Sequence, residues 1–195
     1  MDKADSTSDD TFLAKLNGAG SLEWWKSYGI PDSNFRAKDF ALTPDGGFFF
    51  SLEVSTETDG VQLVKLDTYG NIVSQMNYTA SHYEGVEDVD VDKDGNFVIL
   101  GNFYLPPDSG GCYITKISPS FEMLARKAFS HENYLSCYNI KAQDDGSYFV
   151  GADAQRSSDY HFHPLLIKLE QDLTACGSLV DESLPSIVLN QGLAS

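Results

Sequence analysis

The densest run of chemically capable residues is Asp88-Val89-Asp90-Val91-Asp92-Lys93-Asp94-Gly95. Asp90, Asp92 and Asp94 alternate ahead of a glycine, as in the opening of a loop whose carboxylates converge on a hard cation such as Ca2+. An EF-hand loop needs a bidentate glutamate at its twelfth position, and Gly101 stands there instead. The run is therefore read as a strand with a polar face that ends in a turn, with calcium the minority reading. The chain has four histidines, His82, His131, His161 and His163, all outside the apolar runs. His161 and His163 are spaced to share one side of an extended strand. No carboxylate keeps a fixed spacing to either, so exposed loop positions are expected rather than a metal or acid–base pair.

Cys112, Cys137 and Cys176 are an odd number, without a C-x-x-C pair or a histidine at metal-ligand spacing. That pattern argues against a zinc site and a disulfide scaffold. Inert, partly buried thiols are expected, with one disulfide left open. Neither a Gly-rich phosphate loop opening a helix nor a Gly-x-Ser-x-Gly elbow occurs, and no nucleophile stands with its base. No catalytic residue is assigned, no cofactor is expected, and an enzyme is the less favoured reading.

With 13 basic and 29 acidic residues the 195-residue chain carries a formal charge of −16. Clustered cations are what phosphate backbones and anionic surfaces require, and there is no basic cluster, so nucleic acid is excluded as a partner. No apolar run approaches the roughly 20 residues of a membrane span. Residues 1–10 are polar and acidic, lack the apolar core of a secretory signal, and read as a disordered leader. The compartment is left open.

What positions these residues is an internal repeat. Lys15, Lys65, Lys116 and Lys168 each sit inside a short apolar run, at intervals of 50, 51 and 52 residues. Tyr28, Tyr78 and Phe129 follow the first three lysines by a constant 13 residues. Asp45-Gly46, Asp94-Gly95 and Asp145-Gly146 keep step with them, each an Asp-Gly hairpin signal between apolar runs. Ahead of these turns, Phe40 and Leu42, Val89 and Val91, and Ile140 and Ala142 alternate with period two, which is the mark of a strand. One unit reads as four strands, at 39–43, 47–54, 61–67 and 71–78, with a tight turn at Thr68-Tyr69-Gly70 before the last. The second blade covers 86–129 and the third begins at Cys137. The chain opens at Thr11 with only the last two strands of a blade. Four strands per repeat of about fifty residues indicates a propeller blade. Leu16, Phe40, Leu42, Phe49, Leu66, Val89, Val91, Val98, Ile117, Ile140, Phe149 and Leu169 are expected between blades. The repeated lysines are expected to lay their stems along apolar neighbours and reach solvent or an acidic partner. Of Trp24 and Trp25, at most one can be free to bind a sugar ring.

Phe12-Leu13-Ala14-Lys15-Leu16-Asn17, Trp24, Tyr28-Gly29 and Asp45-Gly46-Gly47-Phe48-Phe49-Phe50 resemble the propeller repeats of bacterial secreted and surface proteins. Their pattern runs F-V-x-K-L-D-x-x-G-N-x-x-W-x-x-x-Y-G and then D-G-G-Y-I-I-x-G. The resemblance covers about 11–170. It implies the propeller fold and an extracellular or envelope setting, and it implies no activity, because propellers host unrelated functions.

The expected fold class is an all-β β-propeller segment, with three four-stranded antiparallel blades and an N-terminal half-blade. Residues 11–182 form the repeats and 183–195 a tail in which Ser186-Ile187-Val188-Leu189 reads as one more strand. Either the tail pairs with residues 11–28 and closes a four-bladed ring, or the segment belongs to a larger propeller; the open segment is preferred. Binding residues are expected on the variable stretches at one end of the blades, since loops on a rigid scaffold carry function. The candidates there are Tyr83, Glu84, Glu132, Tyr134, Asp159, Tyr160, His161 and His163. The reading is a non-catalytic scaffold or binding module presenting these loops to a protein or glycan. The alternatives are an enzyme with its site at the propeller mouth, and a structural repeat protein that self-associates through its terminal blades.

Overall fold

The computed structural model describes residues 11–29, 34–55, 60–78, 84–105, 109–130, 134–155, 161–174 and 188–190. Every regular element among them is a strand. The chain forms two compact units, Met1–His82 and Tyr83–Ser195.

The first unit holds β1 (Thr11–Leu16) and β2 (Leu22–Tyr28) as a two-stranded sheet. It also holds β3 (Asn34–Leu42), β4 (Phe48–Ser55), β5 (Gly60–Leu66) and β6 (Ile72–Tyr78) as a four-stranded antiparallel meander. Strand β1 and strand β2 are the third and fourth strands of a blade, as the repeat predicts. Leu13, Trp24 and Tyr28 pack from them onto Phe48, Phe50, Leu52, Val64 and Leu66. Tyr28 meets Phe50 edge-on at 5.2 Å, and its hydroxyl donates to Gly70 O at 2.9 Å. Burying rings of this size is worth roughly 1.5–3 kcal/mol each, so this contact seats the half-blade on the blade.

In the second unit, β7 (Glu84–Val91), β8 (Phe97–Leu105), β9 (Ser109–Ile117) and β10 (Met123–Ser130) form the same meander. A third blade, β11 (Tyr134–Ala142), β12 (Tyr148–Gln155) and β13 (Phe162–Leu169), shows three strands among the described residues. Its third strand ends in the turn that β5 and β9 also end in. Leu173 N donates to Glu170 O there, as Gly70 N does to Asp67 O and Phe121 N to Ser118 O. The short strand β14 (Val188–Asn190) overlaps the tail segment Ser186–Leu189 expected to be a strand. It pairs with β10, and not with β1 or β2 as ring closure requires.

The Asp-Gly hairpins are as read, with Gly46, Gly95 and Gly146 at φ of 80, 80 and 88°, a region that a side chain disfavours. The first strand of each blade starts earlier than expected. A bulge between Ala37 and Asp39, Val86 and Asp88, and Cys137 and Asn139 re-phases it, so strict alternation fails across that point. Of the expected core, Phe49, Leu66, Val89, Val98, Ile117, Ile140 and Leu169 are buried. Val91 and Phe149 are half-buried. Leu16, Phe40 and Leu42 are exposed, a correction to the expectation. Phe40 and Leu42 stand where Ile140 and Ala142 stand in the third blade, and the two strands β1 and β2 do not cover them.

The repeated lysines find carboxylates: Lys15 with Glu23 at 3.0 Å, Lys65 with Asp45 at 3.0 Å, Lys116 with Asp92 at 2.7 Å and Lys168 with Asp145 at 4.0 Å. Cys112 and Cys137 form a buried disulfide that ties β9 to β11. This corrects the expectation of inert thiols. Residues 25 apart in sequence become neighbours only through blade stacking, which spacing alone could not reveal.

Candidate functional site

Tyr83, Glu132, Asp159 and Tyr160 lie outside the described residues, as do His82 and His131. Glu84 opens β7, and its backbone pairs with Phe103. Tyr134, His161 and His163 fall at one end of the third blade. Tyr134 opens β11 opposite Gln155, the last residue of β12, and Gln155 in turn faces Phe162, the first residue of β13. Cross-strand pairing thus sets Tyr134, Gln155 and Phe162 in one row across three strands. The rings of Tyr134 and Phe162 meet edge to face with centroids 6.1 Å apart and planes 89° apart. Tyr134 is half-buried, and a side chain at Gly110 would approach its Cε2 to 3.2 Å. Phe162 is 53% exposed. His161 is exposed just before the strand, as expected, whereas His163 is not in an exposed loop but half-buried within β13 opposite Ala154. Sequence reasoning missed Phe162 and Gln155. Phe162 lies between the flagged His161 and His163, but only the register shows that it stands opposite Gln155.

Such a row offers an aromatic face, a phenol hydroxyl and an amide on one rim. An apolar ring with adjacent polar groups suits a flat ligand with a hydroxylated edge. No nucleophile and base come together among these described side chains.

Asp90, Asp92 and Asp94 are drawn to separate partners. Asp90 Oδ2 meets Lys141 Nζ at 2.8 Å and accepts from Ala142 N at 2.8 Å. Asp92 Oδ1 accepts from the N–H groups of Asp94 and Asn96, closing the hairpin turn, and its Oδ2 holds Lys116. Asp94 accepts from Gln171 Nε2 at 3.1 Å. Among the described residues no three His, Cys, Asp or Glu side chains are placed to hold a metal ion.

The Asp92–Lys116 pair is buried with the Tyr148 hydroxyl, which lies 3.1 Å from Lys116 Nζ and 3.3 Å from Asp92 Oδ2. Burial pushes the Asp92 carboxyl up, but the bonds from Lys116 and Asn96 outweigh it and hold its pKa below the ordinary value. Burial likewise disfavours the Lys116 ammonium, and the bonds to Asp92 and Tyr148 more than offset it, so its pKa is raised. This is a structural clamp between blades, since both charges are satisfied inside the protein.

Trp24 turns inward, with Nε1 donating to Thr68 O at 3.2 Å and its ring edge-on to Phe48. Trp25 faces out, so one indole of the two is accessible, as alternation predicts.

Antiparallel meanders repeating at about fifty residues define a β-propeller segment. A solved structure described as a protein of unknown function from Bacteroides caccae superposes on it with a TM-score of 0.51 and 13% sequence identity, covering 86% of this chain. The likeness is one of fold, and this chain spans 57% of that one. No protein-family profile and no curated protein matches the sequence.

Proposed function

We propose that the chain is a non-catalytic binding module that presents the rim of its blades to a glycan. The observation carrying this reading is the Tyr134–Gln155–Phe162 row, in which an exposed phenyl ring stands beside an amide and a phenol. Sugar rings stack their C–H faces on aromatic rings while their hydroxyls seek such polar groups. The charge of −16 disfavours polyanionic ligands, so a neutral glycan is the better fit. The test is an NMR titration with neutral and anionic oligosaccharides, following the Tyr134, Gln155 and Phe162 signals. A neutral oligosaccharide should shift them, and Phe162→Ala should weaken its binding at least tenfold. Absence of shifts there, or undiminished binding by the variant, removes the proposal.

A further inference from the structure

Around the bulge of its first strand each blade repeats the same positions, and at one junction the residues filling them change together. Ala37, Val86 and Cys137 stand at the bulge. On the second strand of the blades, Glu53, Asn102 and Asp153 are equivalent, and they pair on the third strand with Val61, Cys112 and Pro164. The two thiols therefore stand where the other blades carry apolar side chains. The amide of Asn102 stands where they carry carboxylates.

The geometry shows what that amide does. Asn102 Nδ2 donates to Cys137 O at 3.0 Å, and Cys137 N donates to Asn102 Oδ1 at 2.9 Å. An amide side chain can serve both groups, whereas an ionised carboxylate has no proton to donate. Strand β11 is the edge of its sheet, so these two bonds anchor Cys137 to the neighbouring blade rather than to its own. Asn102 is itself the cross-strand partner of Cys112. The residue that grips one cysteine thus stands beside the other, and their Cα atoms lie 5.8 Å apart, within the roughly 4.4–6.8 Å usual for a disulfide. Both cysteines are buried in one cluster with Leu100, Ile114 and Leu135.

We infer that Asn102 is a positioning residue for the oxidation of Cys112 and Cys137, and that the bond so formed locks the junction of the two blades. One cysteine thiolate attacks an oxidant of the glutathione-disulfide class and expels half of it as a thiolate. The second cysteine thiolate attacks the mixed disulfide and expels the other half. The two protein thiols lose two electrons between them, and the oxidant leaves as two thiols that carry the two protons. Because both sulfurs are buried, exchange runs through opening of the junction, and the closed form shields the bond from thiols. Asn102 holds Cys137 within reach of Cys112 in the dithiol form. By linkage, the bond strengthens the Asn102 contacts as much as those contacts favour the bond.

The test uses the full chain with Cys176→Ser, which removes the third thiol. Buffers of reduced and oxidised glutathione set the equilibrium, and alkylation of free thiols reads it. Asn102→Ala should lower the equilibrium constant for oxidation at least tenfold, about 30 mV for two electrons. A residue that only supports the bulge would destabilise both redox forms equally, so an unmoved constant overturns the positioning role. A second measurement leaves Asn102 in place, in case the variant does not fold. Oxidation should slow hydrogen exchange of the Cys137 amide at least tenfold more than that of Ile99 in the same unit; equal slowing overturns the coupling. Dithiothreitol should reduce the folded chain at least a hundredfold more slowly than the chain unfolded in denaturant, and equal rates overturn the lock.

Discussion

Replacing Lys116 by Met isolates the cost of an unpaired charge between two blades. Met keeps the stem length and apolar volume of the lysine, so packing along β9 is nearly preserved while the ammonium is lost. Asp92 then stays buried with its turn hydrogen bonds but without the cation 2.7 Å away. Removing one partner of a buried ion pair costs about 3–5 kcal/mol, and the remaining bonds from Asn96 and Asp94 place the expectation near the lower end, about 3 kcal/mol. The double variant Lys116→Met with Asp92→Asn keeps an oxygen for the turn and leaves no charge, so it should recover most of that loss. The dependence on pH follows from the direction of each shift. Asp92 has its pKa lowered in the folded protein, so its contribution is present above the ordinary value of 3.8 and is lost as pH falls through its folded pKa. Lys116 has its pKa raised, so its contribution is present below 10.5 and is lost as pH rises through its folded pKa. In the single variant the stranded carboxyl protonates more readily, and the deficit should shrink as the solution is acidified. Amide exchange at Ile99 and Ile114 reads the second unit directly, whereas Trp24 and Trp25, the two tryptophans, both lie in the first. A loss below about 1 kcal/mol at neutral pH, or no recovery in the double variant, would refute the account of this clamp.

Reduction of Cys112–Cys137 should destabilise the second unit by about 3 kcal/mol from loop-closure entropy, and thiol counting before reduction should find one free cysteine, Cys176; three free thiols would contradict the pairing. Leu100→Ala should cost roughly 2–5 kcal/mol because the residue is fully buried. Phe40→Ala should change stability by no more than about 0.5 kcal/mol, and equal losses from the two would mean that Phe40 is covered. The Asp45 carboxyl is held down to about 2 by the Thr43 hydroxyl and then the Lys65 ammonium, so Thr43→Val should move its NMR titration midpoint upward. The stabilisation from Asp45 is present above 3.8 and lost as pH falls towards 2, so an unmoved midpoint would assign the shift elsewhere.

The sequence by itself determined the strands, their order and the blade period. Asp-Gly turns, alternating apolar residues and evenly spaced lysines are local signals, each resting on backbone geometry within a few residues of itself. It left the repeated lysines to reach either solvent or an acidic partner, and the folded blades supply the carboxylate in each case. What it missed depends on residues 25 to 52 positions apart. The capture of Ile140 N by Asp88, the pairing of Cys112 with Cys137 and the Asn102 side chain bonding both backbone groups of Cys137 are contacts between blades. Exposure of Phe40 and Leu42 was illegible for the same reason. Their alternation marks a buried face, and burial depends on a neighbouring strand pair that local pattern cannot supply. The Tyr134–Gln155–Phe162 row needed the register of three strands, which is set by the bulge at Cys137 and the turns on either side, so only the folded sheet brings those side chains to one rim.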